Sequence, residues 1–223
     1  GNSITSGGNY NVTVGDEAGT AITTGDNNTA VGYNTGAAVT TGTRNTFMGS
    51  NAGDAVTEGI QNVAIGREAL GADTKGSNTV AIGNGALRAQ NFTSATDVYN
   101  TAVGDQAGTA VTTGTNNTLI GGLAGDALTD ADFNVAIGSS ALSSDTLGSK
   151  SIAIGRFALN TQNFTSATDT YNTAIGHGAG SSVTTGVRNT LIGGLSGSAM
   201  TTGDRNVAVG ATSLDACTEG QYN

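Results

Sequence analysis

The sequence predicts an all-β fold, a parallel β-solenoid (or β-roll) of about twelve turns, on three observations. A short phrase recurs twelve times: usually asparagine, then threonine or valine, a small residue, an aliphatic residue and glycine. Its closing glycines follow one another at 17-residue intervals, except for two intervals of 21 residues. A fixed short period is typical of chains in which each repeat forms one turn of a stack. The composition agrees, with 36 glycines for tight corners and no proline to interrupt strand pairing.

A longer repeat is superimposed on the short one. Residues 33–104 align with residues 105–176 without a gap, so that each 72-residue cassette holds three turns of 17 residues and one of 21. A partial third cassette covers residues 177–223. We therefore expect a single solenoid domain over residues 9–223, and we interpret residues 1–8 as a cap, a linker or an artificial boundary. Because the chain stops just before a further strand motif, we also expect either a piece of a longer fibre or a subunit whose last strand is capped by another.

The strand motif is apolar on both faces. Counted with the closing glycine as position 17, positions 14 and 16 hold valine, isoleucine, methionine or threonine and share one face by the period-two rule. We expect this face to line the interior of the coil. Position 15 points the other way and is alanine in eight turns, so a neighbouring chain is expected to cover it. The predicted interface of a parallel homotrimer comprises Ala64, Ala81, Ala102, Leu119 and Ala136.

Two polar columns accompany the strands. Position 13 is asparagine in most turns, and the predicted ladder of stacked amides includes Asn28, Asn45, Asn62, Asn100, Asn117 and Asn134. The alternative interpretation of this column is a set of ligands for a sugar or an ion. Position 8 is threonine in every complete 17-residue turn. We interpret it as a hydroxyl ladder, with an ice-binding rank as the alternative.

The two 21-residue turns carry the candidate recognition residues. Both contain the text QNFTSATD followed one residue later by tyrosine and asparagine. Loops that protrude from a rigid scaffold often carry binding sites. The aromatic candidates for contact with a receptor, for example by stacking on a sugar, are Phe92, Tyr99, Phe164 and Tyr171. In the alternative, each phenylalanine folds back and fills the wider turn.

The repeated motifs resemble those of two families. NVAIG at 62–66 and 134–138, TVAIG at 79–83 and SIAIG at 151–155 resemble the head repeats of trimeric autotransporter adhesins of the YadA type. TTGTRNTFMG and TTGTNNTLIG are similar to repeats of phage tail-fibre and related surface proteins. The first resemblance implies a left-handed parallel β-roll with three chains around one axis. Neither family supplies catalytic residues.

Side chains that would support catalysis or metal binding are scarce. The chain has one histidine and one cysteine, His177 and Cys217, which gives no basis for a His/Cys metal site or a Cys-His catalytic pair. The run Asp126, Asp130, Asp132 lacks the spacing of known calcium loops. The net charge of −9 opposes binding to nucleic acid or an anionic membrane, and no stretch is long and apolar enough to span one. We therefore expect no enzymatic activity, metal or cofactor.

These patterns favour a structural and adhesive fibre segment, from a phage tail fibre or a bacterial surface adhesin. Its expected partners are two further copies of itself and a glycan or protein on a host cell. The expected location is extracellular, on a virion or a bacterial surface. The alternatives are a purely structural extracellular filament subunit and a solenoid that binds ice or another repetitive surface.

Overall fold

The computed structural model describes residues 8–223. It confirms the predicted fold class, because the chain forms an all-β parallel solenoid of about twelve turns with one short strand at each repeated motif. Residues 1–7, most of the predicted cap or linker, lie outside the described residues. The described part of the chain contains no helix with the length and hydrophobicity needed to cross a membrane.

Strands of three residues form the main sheet, and strands of two residues flank the long turns. The first eight are β1 (Val12–Val14), β2 (Thr29–Val31), β3 (Thr46–Met48), β4 (Val63–Ile65), β5 (Gly76–Ser77), β6 (Val80–Ile82), β7 (Thr96–Asp97) and β8 (Thr101–Val103). The others are β9 (Thr118–Ile120), β10 (Val135–Ile137), β11 (Gly148–Ser149), β12 (Ile152–Ile154), β13 (Thr168–Asp169), β14 (Thr173–Ile175), β15 (Thr190–Ile192) and β16 (Val207–Val209).

The chain divides into two compact units, the first ending at Thr113 and the second spanning Gly114–Asn223. In the first unit the parallel order is β1-β2-β3-β4-β6-β8, and β5 pairs with β7. In the second the order is β9-β10-β12-β14-β15-β16, and β11 pairs with β13. The division falls inside the second cassette. It does not coincide with the sequence duplication.

The strands stack in register, so each sequence column becomes a physical column. Ala30 pairs with Phe47, and Phe47 pairs with Ala64. Each turn closes at a glycine with positive φ, such as Gly49 at 124°, where an added Cβ would lie 2.7 Å from the carbonyl oxygen of Gly66. Glycine is required there both by the backbone conformation and by the close approach of the next turn.

The predicted orientation of the strands is wrong. Position 15 points into the coil: Ala64, Ala81, Ala102, Leu119 and Ala136 are each 0% exposed in the single chain. They therefore cannot form the predicted trimer interface. Positions 14 and 16 face outward instead, as shown by Met48 at 45% exposure and Val209 at 67%. The physical reason is space, because the interior of so narrow a coil admits small side chains at most turns.

The side chains at positions 15 and 4 share the interior of the coil, so a large residue at position 15 packs against small residues at position 4. Phe47 is 1% exposed, and its ring packs against Gly36 and Gly53, both at position 4. A Cβ on Gly53 would lie 2.8 Å from Phe47 Cδ1. Where position 15 is alanine, position 4 varies with the neighbouring turn: Ala81 shares its turn with the buried Leu70, whereas Ala64 shares its turn with Gly53, which the Phe47 ring contacts. Close packing is thus maintained although individual residue sizes differ.

The asparagine column lies inside the coil and links each turn to the next. Asn45 is 0% exposed; its Nδ2 donates to the carbonyl oxygen of Gly59 at 2.8 Å and to Asn28 Oδ1 at 3.0 Å. Its Oδ1 accepts from the backbone N–H of Asn62 at 2.9 Å. Asn134 repeats two of these bonds, donating to Gly148 O at 3.0 Å and accepting from the N–H of Ser151. Such bonds satisfy polar backbone groups that the corner would otherwise bury without partners.

The threonines at position 8 also bond along the stack. Thr40 Oγ1 donates to the carbonyl oxygen of Thr57 at 3.2 Å, and Thr57 Oγ1 donates to that of Thr74 at 3.1 Å. Thr184 and Thr201 repeat the arrangement in the second unit. These hydroxyls form a ladder within the protein, so their donor capacity is directed to the next turn and gives the ice-binding interpretation no support.

Candidate functional site

The phenylalanines of the long turns are buried. Phe92 and Phe164 are each 8% exposed, so neither presents a ring on which a receptor could stack. This corresponds to the alternative interpretation, in which the phenylalanine fills the wider turn. Backbone bonds fix the position: Lys75 N–H donates to Phe92 O at 2.9 Å, and Leu147 N–H donates to Phe164 O at 3.1 Å. As receptor contacts, these two residues are removed from the candidates.

A buried polar network holds each long turn in place. Asp73, 0% exposed, accepts from the N–H groups of Gly76 and Phe92, both at 3.0 Å, and from Gln90 Nε2 at 2.6 Å. Gln90 Nε2 also donates to Thr79 Oγ1 at 3.2 Å, and its Oε1 accepts from Asn100 Nδ2 at 2.9 Å. Every member is hydrogen-bonded, which makes a buried polar cluster tolerable.

The same network recurs one cassette later and explains the gaps in the asparagine column. Asp145 accepts from the N–H groups of Gly148 and Phe164, and Gln162 Nε2 donates to Ser151 Oγ at 2.9 Å. Thr79 and Ser151 are the two position-13 residues that are not asparagine. Their hydroxyl groups accept hydrogen bonds from the glutamine of the following long turn. A hydroxyl in place of the asparagine amide is therefore part of the network that holds the long turn.

Tyr99 and Tyr171, in contrast, are exposed, at 56% and 49%. Both lie at position 12, just before the asparagine column, with φ of 55° and 51°. This left-handed corner directs the residue away from the interior in every turn. The two tyrosines thus belong to a continuous column and not to the tip of the inserted loop. The tip itself carries small exposed side chains, such as Thr93 and Ser94.

The position-12 column is rich in aromatic and basic residues in the second unit. Its members there are Asn116, Phe133, Lys150, Tyr171, Arg188, Arg205 and Tyr222. In the first unit they are Tyr10, Asn27, Arg44, Gln61, Asn78 and Tyr99. Sequence reasoning selected only the two tyrosines beside the inserted loops. Their shared place in the repeat was the signal that would have revealed the other members.

Cations and rings make direct contacts within this column. Lys150 Nζ lies 5.3 Å from the centroid of the Tyr171 ring, and Arg205 Cζ lies 5.3 Å from that of Tyr222. Lys150 Nζ also donates to Asp169 Oδ2 at 2.6 Å. This bond raises the pKa of the Lys150 amine and lowers the pKa of the Asp169 carboxyl. The column therefore presents flat rings beside cationic side chains, an arrangement suited to stacking.

The outward face of the main sheet forms a second exposed surface. This surface, called here the outer sheet face, consists of the position-14 and position-16 side chains of the three-residue strands. Threonine, valine and isoleucine occupy it, for example Thr118 and Ile120 on β9 or Ile152 and Ile154 on β12. Six stacked strands of three residues present roughly 300 Å² in each unit at ordinary strand spacings. An exposed, mostly apolar patch of that size often marks an interaction site.

Metal-binding chemistry is absent from the part of the chain that the structure describes. Residues 8–223 contain no group of three or more histidine, cysteine, aspartate or glutamate side chains placed to hold a metal ion. Asp126 is half-buried, burial raises the pKa of its carboxyl, and its Oδ1 has no hydrogen-bond partner among these residues. Cys217 is a free, partly exposed thiol.

Comparison with known proteins does not assign this chain to a family. No protein-family model matches it, and searches of curated proteins and of solved structures find no significant match. The function is therefore argued from the geometry of the exposed surfaces.

Proposed function

We propose that this protein is a structural and adhesive segment of an extracellular fibre, of the kind found in phage tail fibres or trimeric bacterial surface adhesins. The observation that carries the proposal is the outer sheet face, which repeats an apolar surface on every turn of a rigid stack. A monomeric enzyme has no use for one surface repeated in this way. A fibre uses it to join identical chains along their whole length.

The proposed assembly is a parallel homotrimer that packs through the outer sheet faces. This interface replaces the one predicted from the sequence, because the alanine column is buried inside its own chain. The resemblance to trimeric adhesin repeats supports three chains around one axis. In-register stacking within each chain means that side chains meeting at one turn are followed by equivalent side chains at the next.

The proposed receptor-binding surface is the position-12 column of the second unit. Tyr171 and Arg188 are exposed there on consecutive turns, and Phe133 is 54% exposed. Exposed aromatic and arginine side chains are the types enriched at binding surfaces. The expected receptor is a glycan or a protein on the surface of the host cell.

Adsorption of the protein to host cells tests this function. The double variant Tyr171→Asn, Arg188→Asn removes an aromatic ring and a positive charge. Asparagine is compatible with the fold at position 12, because Asn116 occupies that position in another turn. Thr165→Ala, on the exposed tip of the inserted loop, is the matched control. We expect adsorption of the double variant to fall at least tenfold and that of the control to persist. A wild-type chain that adsorbs to no cell or glycan would favour the purely structural filament.

A further inference from the structure

A cleft in the second unit has features that neither the repeat nor the sheet requires. It has a volume of 370 Å³ and is lined by Phe157, Asn160, Thr161, His177, Ser181 and Leu195 together with Gly178. The volume lies at the lower end of the range of small-ligand sites, about 300–1,000 Å³. It has room for one sugar-sized unit.

The walls combine apolar and polar groups. Phe157 is half-buried, its ring meets the His177 imidazole edge-on with centroids 6.5 Å apart, and Leu195 is 43% exposed. In the amide orientation that satisfies both of its polar atoms, Asn160 braces the aromatic corner by donating to the carbonyl oxygens of Phe157 at 3.1 Å and Ser181 at 3.0 Å. Hydroxyl groups of Thr161 and Ser181 complete the lining.

The charge around the cleft is unusual for this acidic chain. No carboxylate lines it, although the protein carries a net charge of −9. Arg156 is exposed, with its Cζ 4.0 Å from the centroid of the Phe157 ring. Among residues 8–223 neither Arg156 nor His177 forms an ion pair with a carboxylate. A guanidinium group against the aromatic wall of an acid-free cleft favours a ligand with a carboxylate.

The first unit provides an internal comparison. One cassette earlier, Arg156, Phe157 and His177 correspond to Asn84, Gly85 and Asp105. The cleft there has a volume of only 150 Å³, and its Arg88 and Glu68 approach each other at 3.5 Å. The buried residues of the two copies agree, for example Leu87 with Leu159. Beside this shared core, the side chains that line the two clefts differ.

We infer that the cleft at Phe157 and His177 binds a sugar unit that bears a carboxylate, such as a uronic acid residue of a surface polysaccharide. The inference rests on the proposed adhesive function and names the chemistry of one receptor contact. Phe157 and Leu195 supply apolar walls for the sugar ring, and the polar lining supplies partners for its hydroxyl groups. Arg156 and His177 face the carboxylate.

Ligand-observed NMR and calorimetry on the full chain test this inference, with methyl glucuronide and the matched neutral methyl glucoside as probes. We expect the glucuronide to bind at least tenfold more tightly than the glucoside. Phe157→Gly introduces the residue present at position 85, where φ is also positive, and it should abolish binding. Arg156→Asn should remove the preference for the charged sugar.

Equal binding of both sugars, or undiminished binding by Phe157→Gly, would overturn the inference. Cell adsorption without glucuronide binding would overturn it while leaving the fibre function intact. Glucuronide binding without adsorption would leave the site standing and count against the function.

Discussion

At the scale of single residues, the amide ladder connects the local sequence to the stability of the stack. Asparagines in the column bond to backbone groups of the next turn, as Asn45 does with Asn62 and Gly59. An unpaired buried polar group costs about 1–3 kcal/mol. The ladder is therefore a repeated requirement of the fold, and the recurrence of asparagine needs no ligand to explain it.

Replacing Asn45 by alanine should be strongly destabilising. The change leaves the N–H of Asn62 and the carbonyl of Gly59 without these partners, so we expect the free energy of unfolding to fall by about 2–5 kcal/mol. Chemical denaturation measures it. Thr41→Ala, at an exposed site in the same turn, should change stability by less than about 0.5 kcal/mol. Equal effects of the two substitutions would contradict the structural role of the ladder.

Asp126 provides a pH-dependent prediction. Burial raises the pKa of its carboxyl above the unfolded value, so the folded state holds the proton more tightly. The stability associated with this proton is present below the unfolded pKa of about 3.9 and is lost as the pH rises through the folded pKa. Asp126→Asn mimics the neutral form, and Asn160 occupies the same repeat position.

Melting temperatures at two pH values test this sign. At pH 7 we expect the Asp126→Asn variant to melt higher than the wild-type protein, and the difference should shrink as the pH falls below 4. Asp130→Asn, at an exposed site in the same turn, is the control and should show no such pattern. A variant that is less stable than the wild type at pH 7 would mean that the charged form of Asp126 stabilises the fold.

At the scale of the elements, core volume is shared between strands and corners. The Phe47 ring lies against the glycines at position 4, so its loss would leave a cavity that neighbouring turns cannot fill. We expect Phe47→Ala to cost about 3–5 kcal/mol. Phe47→Leu should cost less, because Leu119 and Leu191 occupy the same position in later turns. Denaturation of both variants measures the difference, and equal losses would rule out the cavity as the cause.

The long turn depends on its buried glutamine. Gln90→Ala would remove a donor from the buried carboxylate of Asp73 and the acceptor used by Asn100, so we expect a loss of about 3 kcal/mol or more. Ser94→Ala at the exposed tip is the control. Hydrogen exchange at the Phe92 amide, which donates to Asp73, should report local opening in the first variant alone. Unaltered protection there would show that Phe92 holds the turn without the network.

The strand columns show what sequence could and could not reveal. A fixed period and a period-two alternation predict the turns, their register and a pair of faces. They do not say which face is interior when both are apolar. Two signals pointed to the answer: threonine is frequent at position 14, and the largest position-15 residues occur where position 4 is glycine, as for Phe47 and Gly36. The second signal is a packing relation between two distant positions of a turn, and it emerges only when the twelve turns are compared column by column.

The candidate site was predicted in part for the same reason. Tyr99 and Tyr171 were selected for their place beside an insertion, yet they are exposed because of the left-handed corner at position 12. Phe92 carries an equally suggestive aromatic ring but is held inside by backbone bonds that sequence does not display. The cleft at Phe157 does not follow from the sequence, because its lining comes from consecutive turns whose side chains meet only once the stack is formed.

At the scale of the whole molecule, adjacent residues of one strand lie in different environments, one in the interior of the coil and the other on the outer sheet face. Ala136 is buried in its own coil, whereas Ile137, next to it on β10, faces outward. A charge at Ala136 would be buried without a partner and should unfold the chain. A charge at Ile137 should leave each chain folded and oppose only the packing of chains against one another.

Light scattering of the full chain tests the proposed assembly most directly. The account predicts three chains per particle for the wild-type protein. Ile137→Glu combined with Ile154→Glu should give a monomer with an unchanged circular dichroism spectrum. A wild-type protein that stays monomeric at high concentration, or a double variant that still forms trimers, would contradict it.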